Sequence, residues 1–282
     1  MTQAKTYLLV GHVTKDLLPD NQFTTGGTVT YASVVARNLG WRPRIITTAG
    51  PDFVPPAYLA DLEWCLLPSP ETLTFCNLYD AHGHRTQFIG PFSSPMTAAD
   101  ISPVCAEAEL VHLCPLAPNM APDIVNAFSD AVLVSTPQGW LRQWDERGVV
   151  SLGDWVGAAE ILPKLQASVI SIEDVEGNWA IAEAWAARTS ILVVTQGEFG
   201  CTVITGNERL HVPPRPAQPI DPTGAGDVFA AAFFIRLKET GDLWQAARFA
   251  NVTASMAIER HGPEGAPDRS EVEFYLEQHQ VV

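Results

Sequence analysis

The sequence has no apolar run long enough to cross a membrane. Its first apolar run, Tyr7–Val10, is too short for the core of a signal peptide. No low-complexity segment interrupts the 282 residues, of which 46% are hydrophobic. We therefore expect one cytoplasmic globular domain, residues 1–282, with a single large core.

Basic residues are scarce. The chain has 17 lysines and arginines against 32 aspartates and glutamates, which gives a formal net charge of −15. This balance argues against binding to nucleic acid or to an anionic membrane, because both need a basic surface. The expected partner is a small molecule, and a polyanionic one would need local neutralisation by metal ions, helix N-termini or a few basic side chains. The sequence does not decide between a monomer and a homodimer.

Paired cysteines and the familiar nucleotide-binding motifs are also missing. The five cysteines never show C-x-x-C spacing, so the sequence predicts neither a disulfide framework nor a zinc site. It contains no G-x-x-x-x-G-K-[ST] run, and Phe229 stands where a Rossmann fingerprint needs its third glycine. Any nucleotide site is therefore of another kind.

Short apolar runs recur along the chain, and most are continuous, which is typical of strands buried on both faces. They are Tyr7–Val10, Arg44–Thr48, Leu110–Leu113, Ala131–Ser135, Ser168–Ile172 and Ile191–Thr195. Helices are predicted between them at Thr28–Leu39, Ala98–Ala108, Pro122–Ser129 and Val175–Ala187. The alternation predicts an α/β fold, a three-layer α/β/α sandwich with a mostly parallel central sheet.

Two stretches depart from this alternation and indicate β-hairpins, Thr74–Ile89 and Cys201–Val212. The second leads into the proline-rich segment 212–219, which we interpret as a stiff connector. A P-x-x-P ligand for another protein is the open alternative for that segment.

The segment Asp221–Phe229 places a glycine-rich turn at the start of an apolar helix, with Thr223 as the predicted N-cap. The unpaired N–H groups of the first turn and the helix dipole attract an anion, and the glycines let it approach the backbone. Asp227 could accept the proton of an attacking hydroxyl, with a pKa lowered by the helix N-terminus. From these residues alone a second interpretation stays open, in which Asp227 only neutralises the helix dipole and the glycines only permit a tight turn.

Two motifs resemble those of the ribokinase/PfkB family of carbohydrate and nucleoside kinases. The N-terminal signature of that family is a strand ending in glycine, an aspartate five residues on and a Gly-Gly pair opening a helix, here Gly11, Asp16 and Gly26-Gly27. The C-terminal signature is D-T-x-G-A-G-D, here Asp221–Asp227 with Pro222 in the second place. The resemblance implies a ribokinase-like fold, ATP as the phosphoryl donor and a requirement for Mg²⁺.

The resemblance also implies roles for individual residues. Asp227 would be the catalytic base, and the anion hole would be formed by Gly224, Ala225 and Gly226. The acceptor would be held by Asp16, Gly26, Gly27 and Thr28. The nucleotide site would include Ser171, Thr195, Gly197, Gly200 and Asn251.

The chain departs from the family pattern where relatives have N-x-x-E. Here Ser171 replaces the asparagine, and Asp174 is implied as the acid that holds Mg²⁺ through water. Thr28 and Tyr31 follow the Gly-Gly pair instead of lysine or asparagine, which argues against ribose as the acceptor. Asp221 corresponds to part of a monovalent-cation site in some relatives, for which K⁺ is the candidate.

Only nine residues separate Asp16 from Gly26, which leaves little room for the lid strands of the family. We therefore expect a reduced lid formed by residues 12–26 and 74–90, resting mainly on the later segment. On that segment Gln87 would face the acceptor.

Four segments resemble plant-type myo-inositol kinases within this family: Gln138–Asp145, Pro213-Pro214, Asp221–Asp227 and Glu259–Gly262. An inositol or another compact polyol is therefore the expected acceptor. Two alternatives stay open, a nucleoside or ADP-dependent sugar kinase on the same fold and a non-catalytic sugar or nucleotide sensor. The intact anion hole together with Asp227 argues against the sensor.

Overall fold

The computed structural model describes residues 5–18, 22–79, 85–101, 107–129 and 131–279. Its strands are β1 (Thr6–His12), β2 (Thr14–Leu17), β3 (Phe23–Gly26), β4 (Arg42–Ala49), β5 (Glu63–Pro68), β6 (Thr74–Tyr79), β7 (Arg85–Ile89), β8 (Leu110–Cys114), β9 (Val132–Ser135), β10 (Arg142–Trp144), β11 (Val150–Leu152), β12 (Ala167–Ser171), β13 (Leu192–Thr195), β14 (Cys201–Thr205) and β15 (Glu208–Val212). Its α-helices are α1 (Thr28–Asn38), α2 (Ala158–Ile161), α3 (Trp179–Ala186), α4 (Ala225–Thr240), α5 (Leu243–Ala257) and α6 (Arg269–Gln278). Within these ranges no helix is long and apolar enough to span a bilayer.

The central sheet has nine strands in the order β15-β14-β13-β12-β9-β8-β1-β4-β5. The strands from β13 to β5 across the sheet run parallel, and the hairpin of β14 and β15 extends one edge antiparallel. Because side chains alternate along a strand, β1 feeds two cores: Tyr7 and Leu9 enter one, and Leu8 and Val10 enter the other. Because the strands from β13 to β5 run parallel, their carboxyl ends lie at the same edge of the sheet.

Helices cover both faces of this sheet, which confirms the predicted three-layer sandwich. The first core also contains apolar side chains of α1, α4 and α5. The second contains the 3₁₀ turn Pro122–Ala127 and side chains of α2, and a third, smaller cluster lies beneath α3. Helix α4 is buried on nearly every side, from Val228 to Ile235, as its uninterrupted apolar sequence predicts.

Three predicted helices differ from the structure. The segment predicted as Ala98–Ala108 has only a 3₁₀ turn at Ala98–Asp100, with residues 102–106 outside the described ranges, and the segment from Pro122 is also a 3₁₀ turn. Helix α3 begins at Trp179 rather than at Val175. The reason is local, because Glu176 and Gly177 have φ angles of 51° and 76°, which no right-handed helix accommodates.

A second sheet, which we term the lid sheet, has four strands in the order β3-β2-β6-β7. β2 pairs antiparallel with β3, β6 pairs antiparallel with β7, and a parallel pairing of β2 with β6 joins the two hairpins. The sequence predicts that the later hairpin dominates, whereas each segment supplies two strands. A β-hairpin needs only a short connection, so the nine residues between Asp16 and Gly26 are enough.

Candidate active site

The turn before α4 has the geometry of an anion site. Gly224 is the N-cap, with a left-handed φ of 76° and no side-chain capping bond, so the prediction of Thr223 as N-cap is wrong. The N–H of Thr223 instead donates to Asp221 Oδ1 at 3.0 Å. Among the described residues, no acceptor engages the N–H groups of Gly224, Gly226 or Asp227, and a side chain at Gly226 would point into open space. These N–H groups can therefore bind an external anion.

Gly224 is required sterically as well as conformationally. A Cβ atom at this position would lie 2.3 Å from two ring carbons of Tyr31, which belongs to α1. The anion turn is thus packed directly against the helix that begins at the Gly26-Gly27 turn.

Asp227 lies in the first turn of α4, partly buried. Thr28 Oγ1 donates to Asp227 Oδ1 at 2.7 Å. Burial raises the pKa of the Asp227 carboxyl to about 6, against the opposing effects of the Thr28 hydrogen bond and the positive charge of Arg142. The sequence predicts a lowered pKa from the helix N-terminus, and this is wrong because desolvation outweighs that effect. A carboxylate with this pKa is a stronger base at neutral pH than an exposed one.

Asp16 lies on β2, and its negative charge contributes to raising the pKa of Asp227. Thr14 Oγ1 donates to Asp16 Oδ1 at 2.9 Å, and burial raises the pKa of this carboxyl. Glycine is needed opposite, because a Cβ on Gly26 would come within 2.0 Å of Asp16 Oδ2. Gly27 has a φ of 92°, and a Cβ there would lie 2.5 Å from the carbonyl oxygen of His12. The turn is therefore packed closely against Asp16 and the end of β1, and only glycine fits at both positions.

The lid sheet places further polar groups on the same face as Asp16. Asp16 is in register with Phe75 of β6, and Asn77, two residues on, is in register with Gln87 of β7. Gln87 Nε2 donates to Asn77 Oδ1 at 3.0 Å. Gln87, predicted from the sequence, thus lies on this face, and Asn77 was missed.

Thr28 was predicted to contact the acceptor. In the structure its side chain is fully buried, and its hydroxyl is engaged by Asp227 and by Gln138 Nε2 at 3.3 Å. A contact of Thr28 with the acceptor stays a prediction. In this structure its hydroxyl proton is donated to the Asp227 carboxylate.

Sequence reasoning missed Gln138 and Arg142 as site residues. Arg142 Nη2 donates to Gln138 Oε1 at 3.0 Å and Nη1 donates to the Leu116 carbonyl at 2.8 Å, while its guanidinium lies 5.0 Å from the ring centre of Phe75. The run Gln138–Asp145 pointed to these two residues, because it resembles a segment of plant-type myo-inositol kinases. Its sequence alone contains no motif that indicates a chemical role.

Four of the five residues predicted for the nucleotide lie at the carboxyl edge of the central sheet. Thr195 ends β13, and its hydroxyl donates to the Ile170 carbonyl at 3.3 Å. Gly197 begins the 3₁₀ turn after it and Gly200 follows that turn, with φ angles of 56° and 83°. Ser171 ends β12 and caps the next turn, accepting from the Glu173 N–H at 3.1 Å.

Asn251, predicted for the nucleotide site, makes a structural contact in this chain. It is buried on α5, and its Nδ2 donates to the carbonyls of Val212 at 3.0 Å and Pro213 at 3.1 Å. Its amide therefore fastens the proline-rich segment to α5. Its contact with a nucleotide stays a prediction.

Two carboxylates were predicted to hold cations. Asp174 Oδ2 accepts from the Ser171 N–H at 2.8 Å, and the negative charge of Asp174 contributes to raising the pKa of Asp227, so the two carboxylates lie near each other. A single carboxylate beside phosphates suits Mg²⁺, which keeps most of its water ligands. Asp221 instead accepts from the Thr223 and Gly262 N–H groups, both at 3.0 Å. Within the described ranges, no cluster of three or more His, Cys, Asp or Glu side chains could hold a metal.

Residues 159–269 match the family described as pfkB family carbohydrate kinase. The chain is 42% identical over 97 residues to ribokinase of Bacillus subtilis, which covers 34% of this chain and 33% of that protein. It is 25% identical over 273 residues to cytidine kinase of Thermococcus kodakarensis, covering 90% and 96%. It is 31% identical over 128 residues to inositol 3-kinase of Zea mays, covering 44% and 33%. The matches to the ribokinase and the inositol 3-kinase thus span a third of each relative.

Solved structures resemble the whole chain. A pyrophosphate-dependent kinase of the ribokinase family, complexed with a pyrophosphate analogue and myo-inositol, superposes with a TM-score of 0.77 at 21% identity, covering 95% of this chain and 99% of that one. Fructokinase of Xylella fastidiosa with bound ATP superposes with a TM-score of 0.75 at 18% identity, covering 98% and 99%. Residues 159–269 are therefore similar to pfkB family carbohydrate kinases, and the fold of the chain is the ribokinase fold.

Proposed function

We propose that the protein is an ATP-dependent kinase that phosphorylates a hydroxyl group of a small polyol, with an inositol-like acceptor favoured. One observation carries this proposal: the partly buried Asp227 carboxylate and three unengaged N–H groups share the first turn of α4. The match to pfkB carbohydrate kinases supports the reaction class. An inositol 3-kinase and a kinase bound to myo-inositol among the similar proteins support the acceptor.

The proposed reaction uses the two halves of this turn. Asp227 takes the proton of the acceptor hydroxyl as its oxygen forms a bond to the γ-phosphorus. The bond from that phosphorus to the bridging oxygen breaks, and ADP leaves with the electron pair. The N–H groups of Gly224 and Gly226 donate to the transferring group, whose negative charge they stabilise. Mg²⁺, when bound, neutralises phosphate charge, and Asp174 would hold it through water.

The acceptor would lie between the Gly26-Gly27 turn and the lid sheet. Asp16 accepts hydrogen bonds from its hydroxyls, while Asn77 and Gln87 face it from above. A carboxylate and amides suit a ring that presents several hydroxyl groups. We assign all of these parts to one kinase domain with a small lid. A cytoplasmic location stays a prediction from the sequence.

The donor is the less constrained half of the proposal. The fructokinase structure contains ATP, whereas another similar structure is described as pyrophosphate-dependent. The anion turn suits either donor, because it contacts phosphate oxygens alone. The Nδ2 group of Asn251 already donates to the carbonyls of Val212 and Pro213, and a contact of this residue with the donor stays a prediction. ADP is the third candidate donor.

The test combines three donors with four acceptors. Purified protein with Mg²⁺ is incubated with ATP, ADP or pyrophosphate and with myo-inositol, fructose, ribose or cytidine, and phosphorylated product is quantified by ³¹P NMR. We expect the highest kcat/KM with ATP and myo-inositol. Binding of an acceptor without consumption of any donor would contradict the proposal and favour the sensor.

The assignment of the base is tested by Asp227→Asn. Turnover should fall by about 10³-fold, the scale of a lost general base, with little change in acceptor affinity. The matched control is Asp242→Asn, which makes the same change at the N-cap of α5, where asparagine also caps well. Asp242→Asn should retain wild-type turnover, and retained turnover in Asp227→Asn would remove Asp227 from the mechanism.

A further inference from the structure

An ordered series of hydrogen bonds ends on Asp227. Arg142 Nη2 donates to Gln138 Oε1 at 3.0 Å, Gln138 Nε2 donates to Thr28 Oγ1 at 3.3 Å, and Thr28 Oγ1 donates to Asp227 Oδ1 at 2.7 Å. We term this series the Arg142 relay. It begins beneath Phe75 of the lid sheet and ends at the first turn of α4.

The chemistry of these groups gives the relay one direction. A guanidinium can only donate, and an ionised carboxylate can only accept. The amide and the hydroxyl between them each accept one hydrogen bond and donate the next. The Thr28 proton is thereby directed to Oδ1 of Asp227, and because Thr28 is fully buried, water does not compete for that hydroxyl.

We propose that Thr28 and Gln138 are positioning residues for the phosphoryl transfer, acting through Asp227. The relay occupies Oδ1, fixes the plane of the carboxylate and leaves Oδ2 to take the acceptor proton. It also transmits the polarising effect of the Arg142 charge to a carboxylate that burial would otherwise neutralise. This inference rests on the proposed function, in which Asp227 is the base.

The groups that face Asp227 set the direction of the expected change. Arg142 favours its charged form, whereas Asp16 and Asp174 disfavour it, and Tyr31 of α1 and Cys114 of β8 are close enough to feel its charge. The Thr28 hydrogen bond also favours the charged form. Removing that bond while the acidic neighbours remain should therefore shift protonation of the base to higher pH.

Thr28→Val tests the relay, because valine keeps the shape and removes the hydroxyl. We expect kcat at pH 7 to fall about 10- to 100-fold, the scale of a hydrogen bond to a charged group. The acid limb of the kcat against pH profile should move upward by about one pH unit. Thr28→Ser, which restores the hydroxyl, should recover both values. Gln138→Leu keeps the hydrogen bond from Thr28 to Asp227. The acid limb of its pH profile should therefore move in the same direction but by less.

Thr253→Val is the matched control, since it removes an equally buried threonine hydroxyl whose bond is to the Phe249 carbonyl within α5. Its pH profile should match the wild type even if its melting temperature falls. A wild-type profile in Thr28→Val overturns the relay, and a shift in Thr28→Val without one in Gln138→Leu limits positioning to Thr28 and overturns the longer series. Undiminished turnover in Asp227→Asn would instead overturn the proposed function. If Thr28→Val does not fold, Gln138→Leu carries the test, with Thr28→Ser as its control: a wild-type pH profile in a folded Gln138→Leu then overturns the relay.

Discussion

Asp227 ties the stability of the protein to pH. Burial raises the pKa of its carboxyl in the folded state to about 6, from an ordinary value of 3.8. A group with a raised pKa contributes most to stability when it is protonated, so its contribution is complete below about pH 4 and is lost as the pH rises through about 6. Asp227→Asn stays neutral, and it should be more stable than the wild type by about 3 kcal/mol at pH 8.

Urea unfolding between pH 4 and pH 8 measures this difference, which should shrink as the pH falls. Asp242→Asn provides the opposite sign, because hydrogen bonds from the start of α5 lower the pKa of Asp242. The free energy of unfolding of Asp242→Asn should therefore not exceed that of the wild type at pH 8. Parallel stability curves for wild type and Asp227→Asn would show that Asp227 ionises as it does in water.

Individual residues also show the limit of inference from sequence. The glycine turn at the start of α4 could be predicted because Gly224, Gly226 and Asp227 lie within four consecutive residues and their chemistry is local. Gln138 and Thr28 could not be paired, since they are 110 positions apart and neither type is diagnostic. The pKa of Asp227 was mispredicted for a related reason: a helix dipole can be read from sequence, but burial by distant segments cannot.

At the scale of elements, Asn251 joins α5 to the proline-rich segment. Asn251→Leu should lower the free energy of unfolding by about 1–3 kcal/mol, because the carbonyls of Val212 and Pro213 lose their donor. Gln245→Ala, on the exposed surface of the same helix, should change it by less than about 0.5 kcal/mol. Unchanged stability in Asn251→Leu would contradict this structural role, and a raised KM for ATP would support the predicted contact with the nucleotide.

Element boundaries followed the sequence where burial on both faces made the pattern strong. The interior strands β1, β8 and β13 were predicted within two residues at each end. The edge strand β5 was not predicted, because its short run mixes exposed and half-buried side chains without a regular pattern. Helix α3 began late because no pattern of apolar residues announces the left-handed Glu176.

At the scale of the whole molecule, the lid sheet should be the less stable body. Its outer face exposes Leu17, Phe23 and Leu78, which are 42%, 55% and 55% exposed, whereas β8 is buried throughout. Segments with little buried apolar surface open first. We therefore expect backbone amides of β2 and β6 to exchange with deuterium at least about tenfold faster than those of β8.

Hydrogen exchange followed by mass spectrometry measures this ratio, with and without acceptor. Saturating myo-inositol should slow exchange in both hairpins together, because the parallel pairing of β2 with β6 makes them one sheet. The β8 peptide serves as the internal control. Protection of the lid strands equal to that of β8 in the free protein would contradict the prediction.

The packing of Tyr31 against Gly224 has a consequence for how the two substrates bind. Helix α1 starts at the Gly26-Gly27 turn, which is proposed to hold the acceptor, and α4 starts at the anion turn. The ring of Tyr31 belongs to the first of these helices and packs against the turn that opens the second. A ligand that orders one turn should therefore also order the other. By thermodynamic linkage, each substrate raises the affinity for the other by the same factor. The two substrates should thus bind synergistically, and a single compound joining a polyol to a phosphate chain would meet a surface already ordered for each of its ends.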